Sequence, residues 1–268
     1  MKIGFLQFDP VLNDPEANIK KLRKMITAES SEYDLLVLPE LSNSGYLFSD
    51  IEEVRNCAEE IPVGPFCTML AELAAQKEVH FVAGICEKDG SEFFNSSILV
   101  RPDGFINTYR KTHLFNEEKK WFSPGDSGFE VHTITGKFGE AKIGMMICFD
   151  WIFPESARTL ALRGAQIICH PSNLVLSYCQ NAMFTRAVEN RVFTVTANRI
   201  GKEQNSGKEL FFTGESVIVD TKGNYLARAG KDEECIMITE IDPRLANDKD
   251  VTPLNNIFSD RRPDMYFD

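Results

Sequence analysis

Short apolar runs alternate with segments of helical spacing along most of the chain, and this alternation limits the possible folds more than any other feature. The pattern predicts strands at 3–8, 34–39, 79–85, 96–100, 142–147, 166–170 and 192–197. It predicts the intervening helices at 18–26, 65–76, 154–163 and 181–190. Because parallel strands need crossover helices, this order indicates α/β layers with helix-covered sheets. Two similar halves packed together would form a four-layer αββα sandwich.

The last part of the chain has a different pattern. Residues 214–241 alternate with period two around a turn at 222–224, which predicts a closing β-hairpin. The polar segment after Pro253 still carries apolar side chains, namely Ile257, Phe258, Met265, Tyr266 and Phe267. A free tail needs no such anchors, so we expect this segment to dock on the protein body or on a partner. No linker divides the chain, and we expect one domain over 1–268.

Composition and charge narrow the class of protein. The 268 residues are 43% hydrophobic, which is ample for a large core, and the net charge of −11 would repel nucleic acid. No basic run, signal segment or membrane span is evident, so we expect small-molecule partners and neither nucleic acid nor membrane. Seven cysteines without paired spacing indicate free thiols in a reducing compartment, and we therefore expect a cytoplasmic protein.

Three reactive side chains each stand directly after an apolar segment: Glu40, Lys111 and Cys148. In open α/β sheets, reactive groups collect beyond the carboxyl ends of the strands, so these three are candidates for one site. A carboxylate can take the thiol proton, while an ammonium favours the thiolate and stabilises charge on a substrate oxygen. The backbone N–H of Phe149 could assist as a second oxyanion donor. The set suits acyl transfer from amides.

Other interpretations of these residues remain open at this point. Cys148 could be a small core residue, Glu40 a cap and Lys111 a surface charge. A thiol protease-like pair of Cys148 with His170 is conceivable, although it would leave Glu40 and Lys111 unexplained. Metal hydrolysis is disfavoured because the four histidines lack ligand spacing, and no Gly-x-Gly-x-x-Gly supports dinucleotide binding. A catalytically silent scaffold is the non-enzyme alternative.

The chain resembles the nitrilase superfamily of carbon–nitrogen hydrolases over its whole length. Three signature segments carry the resemblance: Leu-Pro-Glu at 38–40 with Gly-Tyr at 45–46, Tyr-Arg-Lys-Thr-His-Leu-Phe at 109–115, and Gly-Met-Met-Ile-Cys-Phe-Asp at 144–150 followed by Phe-Pro-Glu at 153–155. Further matches are His-Pro-Ser-Asn at 170–173 and Ala-Asn-Arg at 197–199. Within the superfamily, the resemblance is greatest to archaeal-type thermoactive nitrilases and amidases.

The resemblance implies a role for each matched residue. Glu40 is expected as general base, Lys111 as oxyanion-stabilising cation and Cys148 as nucleophile. Glu118, seven residues before Gly125, is expected as the second glutamate that orients the site. The pocket residues implied in the same way are Tyr46, Phe149, Asp150, Trp151 and Asn173.

The resemblance also implies the αββα sandwich and a homodimer or larger assembly, with the tail at about 253–268 reaching across the interface. No metal or organic cofactor is expected. Ile152 stands where many amidases of the superfamily carry Arg, so the stretch 151–153 is expected to form an apolar wall. This favours a small neutral aliphatic amide, cleaved to acid and ammonia through a thioester. A nitrile or an N-carbamoyl amine is the alternative substrate.

Overall fold

The computed structural model describes residues 1–266. Its helices, in chain order, are α1 (Pro15–Ala28), α2 (Ile51–Cys57), α3 (Pro65–Lys77), α4 (Glu118–Trp121), α5 (Pro154–Leu162) and α6 (Cys179–Asn190). Its strands are β1 (Lys2–Gln7), β2 (Leu35–Val37), β3 (His80–Asp89), β4 (Glu92–Val100), β5 (Ile106–Arg110), β6 (Val131–Gly136), β7 (Gly139–Met145), β8 (Ile167–Ser172), β9 (Phe193–Asn198), β10 (Lys202–Asn205), β11 (Lys208–Phe211), β12 (Val217–Val219), β13 (Tyr225–Arg228), β14 (Cys235–Glu240), β15 (Asp250–Thr252) and β16 (Asn255–Asn256). Short 3-10 helices lie at Cys148–Ile152, Pro243–Asn247 and Pro263–Met265.

Two six-stranded sheets follow the same plan. The first has the order β14-β1-β2-β3-β4-β5, and the second has the order β13-β12-β9-β8-β7-β6. In each sheet, three parallel strands (β1, β2 and β3, or β7, β8 and β9) are flanked by antiparallel neighbours. The two halves predicted from the alternating pattern are therefore confirmed.

The layers follow from which faces of the strands are apolar. Leu35 and Val37 of β2 face the cluster between the two sheets, while Leu36 and the following Leu38 face the helices. Such a strand is buried on both faces, which explains its continuous apolar run. Helices α1 and α3 cover the first sheet, α5 and α6 cover the second, and β2 contacts β8 across the middle. The predicted four-layer αββα sandwich is confirmed.

Local sequence explains where the helices begin. At the start of α1, Asp14 accepts a hydrogen bond from the Ala17 N–H at 3.0 Å, and Pro15 occupies the first helical position. The helix buries one stripe, which includes Leu22 and Ile26, against the first sheet. Helix α3 likewise begins at a proline, Pro65.

The predicted closing hairpin is only partly correct. Strands β12 and β13 do form a hairpin around the turn at 222–224, but β14 leaves it and pairs with β1 in the other sheet. Hydrophobic alternation identifies a strand and not its partner, so this crossover was not visible in the sequence. The hairpin of β10 and β11 was also missed, because both strands are short and polar. Its turn has the positive φ angles of Ser206 (+49°) and Gly207 (+79°), a signal present in the Asn-Ser-Gly sequence.

The C-terminal segment docks on the body through Phe258. The Phe258 ring lies 4.9 Å from Lys249 Nζ and 5.5 Å from the Arg158 guanidinium carbon, and it packs against the central core. Met265 and Tyr266 are exposed, and Phe267 lies outside the described residues. All seven cysteines are free. None of the helices in the described range has the length and apolarity needed to cross a membrane.

Candidate active site

The three reactive residues lie at the carboxyl ends of three strands. Glu40 follows β2, Lys111 follows β5, and Cys148 follows β7 and begins a 3-10 helix. Strand β5 is antiparallel to β4, which is antiparallel to β3, so β5 ends at the same edge of the first sheet as β2 and β3. Glu40, Lys111 and Cys148 are 0%, 1% and 7% exposed, respectively. The structural alternatives of a surface lysine and an exposed cap do not fit this burial.

A buried lysine is shared by two carboxylates at this edge. Lys111 Nζ donates to Glu40 Oε1 at 2.6 Å and to Glu118 Oε1 at 2.8 Å. Asn95 Nδ2 donates to Glu40 Oε1 at 2.7 Å, and the Tyr46 hydroxyl donates to Glu118 Oε1 at 2.7 Å. Glu40 Oε2 is buried without a partner among the described residues. One oxygen of Glu40 is thus held by the protein while the other is available for a proton.

Burial and charge decide the protonation states. Burial disfavours the Lys111 cation, but the charges of Glu118 and Glu40 outweigh it and hold the pKa of Lys111 above its ordinary value. The pKa of Cys148 is also raised well above its ordinary value, first by burial and then by the Glu40 charge, against the opposing effect of Lys111. The ammonium favours the thiolate as expected from the sequence, but not enough to form it at rest. The sulfur must therefore lose its proton as it reacts.

The backbone at the cysteine has an unusual conformation. Cys148 has φ +39°, in the left-handed region, and is separated from the end of β7 by Met146 and Ile147. His170 Nε2 donates to the Cys148 carbonyl at 2.9 Å and helps to hold this turn. Phe149 is the second residue of the 3-10 helix, where backbone N–H groups have no acceptor within the helix. The backbone N–H of Asn173 lowers the pKa of Cys148, so it acts on the same sulfur.

Asp150 connects the lysine segment to the cysteine turn. Its Oδ1 accepts from His113 Nδ1 at 2.7 Å and from the His113 N–H at 3.2 Å. Its Oδ2 accepts from the Tyr109 hydroxyl at 2.7 Å and from the Ile147 N–H at 2.8 Å. Asp150 is fully buried, and both of its oxygens already have protein donors. It lies between two functional segments, whereas the sequence analysis had placed it among the substrate contacts.

Two glycines allow the backbone to approach the functional residues closely. A Cβ atom at Gly84 would lie 2.3 Å from Glu40 Cα, and one at Gly125 would lie 2.0 Å from the Arg110 carbonyl oxygen, next to Lys111. Neither distance is possible for real atoms. Gly125, noted in the sequence only for its spacing from Glu118, thus has a steric reason to be glycine.

His170 does not face the thiol. Its Nε2 bonds the carbonyl oxygen of Cys148, which can only accept, so Nε2 carries the proton. Burial lowers the pKa of His170 to about 4, so the ring is neutral at pH 7. The thiol protease-like pair considered from the sequence is wrong. Within residues 1–266, no group of three or more His, Cys, Asp or Glu side chains could hold a metal ion.

The buried neutral state of His170 makes stability depend on pH. Its pKa is about 4 in the folded protein against 6.5 in the unfolded chain, so the unfolded chain takes up the proton first as pH falls. We expect this group to remove roughly 2–3 kcal/mol of unfolding free energy between pH 7 and pH 4.5. Urea unfolding of the parent and of His170→Gln at both pH values measures the difference. Equal losses in the two proteins would contradict this origin.

A partly open cavity of about 430 Å³ borders Tyr46 and Glu118. Asn173 is 3% exposed, and both of its amide atoms are buried without a protein partner in the described part of the chain. Trp151 is 8% exposed and packs edge-on against the Tyr178 ring at 5.7 Å. Ile152 is 40% exposed and does not border this cavity, and the apolar wall expected at 151–153 stays a prediction.

Sequence reasoning missed several residues that build the site. Asn95 carried no recognisable signal, although it bonds Glu40. Arg199 was noted only as part of a matching segment, but it is fully buried and pairs with Glu203. Glu203 accepts from the Tyr46 N–H at 3.1 Å and from the Leu47 N–H at 2.7 Å. This buried pair therefore holds the backbone of the residue that bonds Glu118.

The fold and this site define a hydrolase of the nitrilase superfamily. The sequence profile of the carbon–nitrogen hydrolase family matches residues 2–249, and the chain belongs to that family.

Individual proteins of known name are similar over nearly the whole chain. A nitrilase from Pyrococcus abyssi is 46% identical over 268 residues, which covers 100% of this chain and 99% of that protein. An (R)-stereoselective amidase from Pseudomonas sp. is 34% identical over 236 residues, covering 87% of this chain and 82% of the amidase. The crystal structure of an amidase from Nesterenkonia sp. superposes with a TM-score of 0.76 at 26% identity, covering 92% of each chain. A mutant of the amidase from Nesterenkonia sp. AN1 carries the product of Michael addition of acrylamide at its active site cysteine.

Proposed function

We propose that the protein hydrolyses small neutral amides to the acid and ammonia, with Cys148 as nucleophile, Glu40 as general base and Lys111 as the oxyanion-stabilising cation. The observation that carries the proposal is the Lys111 ammonium held between Glu40 and Glu118, at 2.6 and 2.8 Å, in the dry site of Cys148. A preformed cation in a low-dielectric site stabilises developing negative charge without reorganisation.

The proposed cycle begins with a neutral thiol. Glu40 takes the Cys148 proton through its unpartnered oxygen while the sulfur attacks the amide carbon, and Lys111 and the Phe149 N–H bind the oxyanion. Glu40 then passes the proton to the leaving nitrogen, ammonia departs and a thioester remains. Water, deprotonated by Glu40, attacks the thioester, and the acid leaves as the thiol regains its proton.

The remaining site residues have supporting roles in this proposal. Glu118 orients Lys111, and Tyr46 orients Glu118 through its hydroxyl. The unpartnered amide of Asn173 is proposed to hydrogen-bond the substrate, and Trp151 to close one side of the pocket. For Asp150 we propose a positioning role, because its oxygens already have protein donors.

A nitrile is the second candidate substrate, favoured by the similarity to the nitrilase of Pyrococcus abyssi. The same thiol would add to the nitrile carbon and form a thioimidate, which takes up water to release ammonia. An N-carbamoyl amine would use the same site. All three classes release ammonia, so one assay can be used for all of them. The compounds from which ammonia is released identify the substrate class.

We also propose a cytoplasmic homodimer or larger assembly formed from single-domain chains of 1–268, with the tail at about 253–268 at the interface. Exposed apolar side chains on neighbouring elements support a partner subunit, namely Leu162 of α5, Phe184 and Val188 of α6, and Tyr225 of β13. Seven free cysteines are consistent with a reducing compartment.

Ammonia release from a panel of amides, N-carbamoyl amines and nitriles tests the proposed function. We expect release by the parent protein from at least one class and none above background from Cys148→Ala. Cys235→Ala, which alters a half-buried thiol outside the site, is expected to retain full release. Iodoacetamide is itself an amide, so it should be able to enter the site, alkylate Cys148 as Glu40 takes the thiol proton, and stop turnover. No release from any compound, together with an unmodified Cys148, would instead support a catalytically silent scaffold.

A further inference from the structure

We propose that the substrate carries an apolar group of branched-chain or ring size next to its amide or nitrile carbon, and no free carboxylate. This inference rests on the proposed function and names the substrate class for the same site. The cavity that borders Glu118 and Tyr46 measures about 430 Å³. That volume lies within the range of pockets that bind drug-sized ligands, roughly 300–1,000 Å³, and exceeds what a two-carbon amide fills.

Apolar side chains from separate segments line this cavity. Phe48 comes from the loop after β2, Trp121 and Phe122 from α4 and its end, and Leu210 from β11. The rings of Phe48 and Phe122 pack edge-on at 6.1 Å. Apolar substrate surface covered by these side chains would be removed from water, which favours the binding of an apolar group.

The cavity extends to the neighbourhood of the nucleophile. Phe115 also lines it, and its ring lies 5.0 Å from the ring of Phe149, the residue after Cys148. At the same end, Glu118 contacts both Tyr46 and Lys111. Cys148 and Lys111 do not themselves line the cavity, so the proposed substrate would meet the thiol with its carbonyl carbon and extend its side chain past Glu118 into this space.

The charged groups that line the cavity are already paired. Lys208 Nζ lies 2.6 and 2.7 Å from the two Glu117 oxygens, and Glu209 lies 2.6 Å from Lys202 Nζ. Lys208 is the only cation among the lining residues in the described range, against three glutamates including Glu118. A substrate carboxylate would meet an excess of negative charge and no unpaired cation.

The hairpin that supplies Leu210 is held firmly in place. At its base, Arg199 Nη2 pairs with Asp9 at 2.8 Å, and the guanidinium stacks at 3.9 Å on the Phe212 ring. On the other strand, Asn205 Nδ2 donates to the Leu47 carbonyl at 3.0 Å. This wall is therefore preorganised, and its side chains can select substrates by size.

Five amides with the same leaving group test the substrate class: acetamide, 3-methylbutanamide, phenylacetamide, succinamate and 5-aminopentanamide. We expect kcat/KM for 3-methylbutanamide or phenylacetamide to exceed that for acetamide by about 10-fold or more, and to exceed those for the two charged amides by at least as much. If acetamide or a charged amide is the best substrate and Cys148→Ala abolishes its turnover, this inference is wrong and the proposed function stands. If no amide or matching nitrile is cleaved, the proposed function itself fails.

Leu210→Trp tests whether the side chain occupies this cavity. The larger ring would fill the space beside β11, so we expect kcat/KM for phenylacetamide to fall by about 10-fold while that for acetamide changes little. Val63→Trp, at a position 72% exposed and away from the cavity lining, is the control and should alter neither. Equal losses with both amides would overturn the assignment. If circular dichroism shows that Leu210→Trp is unfolded, Leu210→Phe provides the same comparison with a smaller increase in volume.

Discussion

Lys111→Met is expected to abolish turnover and to destabilise the protein at the same time. The substitution removes the proposed oxyanion donor and leaves Glu40 and Glu118 facing each other without their shared cation. Loss of a buried oxyanion donor costs about 10²–10³-fold in kcat, and the same lysine also orients Glu40, so we expect a loss of at least about 10³-fold. Breaking a buried ion pair from one side costs about 3–5 kcal/mol. Ammonia release and urea unfolding measure the two effects.

A surface lysine provides the matched control for this prediction. Lys137 pairs with Glu78 at 3.1 Å, but its side chain is 90% exposed, and Lys137→Met should leave both activity and stability nearly unchanged. Adding Glu118→Gln to Lys111→Met removes one of the two opposed carboxylates, so part of the lost stability should return while activity does not. Full stability in Lys111→Met alone would show that Lys111 does not neutralise two charged carboxylates in the folded protein.

Asp150→Asn is expected to lower stability by about 2–4 kcal/mol and kcat by about 10²-fold, with little change in KM. An asparagine has the same size but offers a donor where Asp150 offers an acceptor. That donor would face the Tyr109 hydroxyl and Ile147 N–H, or the two His113 groups. The turn that presents Cys148 would then shift relative to the lysine segment. Steady-state kinetics and thermal unfolding measure the result.

The pattern of effects distinguishes positioning from substrate binding. If Asp150 contacted the substrate, Asp150→Asn would raise KM and leave the unfolding free energy unchanged. Asp126→Asn is the matched control, because Asp126 is 77% exposed and lies 3.7 Å from Arg110. We expect that variant to behave like the parent in both measurements.

Most of the fold was predictable because each half repeats one local plan. Period and composition identified helices such as α1 and α3 and buried strands such as β2 to within a few residues. The misplaced partner of β14 has a different cause from the missed hairpin of β10 and β11, whose strands are short and polar. Strand β14 pairs with β1, and the Met1 amino group donates to the Ile241 carbonyl 240 residues away. No local pattern specifies a contact of that separation.

The sequence indicated candidate reactive residues of the site, but it did not indicate their contacts or the polar residues that hold them in place. Glu40, Lys111 and Cys148 stood out because each follows an apolar segment, and parallel strands bring such positions to one edge. Asn95 and Glu203 did not, because a polar residue within or after a strand has many possible roles until its neighbours are known. Asp150 was selected through the resemblance, but a motif does not reveal which way its carboxylate points.

The sequence by itself determined the layers and the family resemblance, and it selected the candidate reactive side chains, because these depend on periodicity and on short motifs. Only the tertiary structure decided that one ammonium is shared by two carboxylates, that burial raises the pKa of the Cys148 thiol, and that a cavity borders Tyr46 and Glu118. Those properties depend on burial and on distances between segments far apart in the chain. Lys111 and Glu40, for example, are 71 positions apart and yet lie within 2.6 Å. Their electrostatics arise from the burial of both side chains, which strengthens the interaction between their charges.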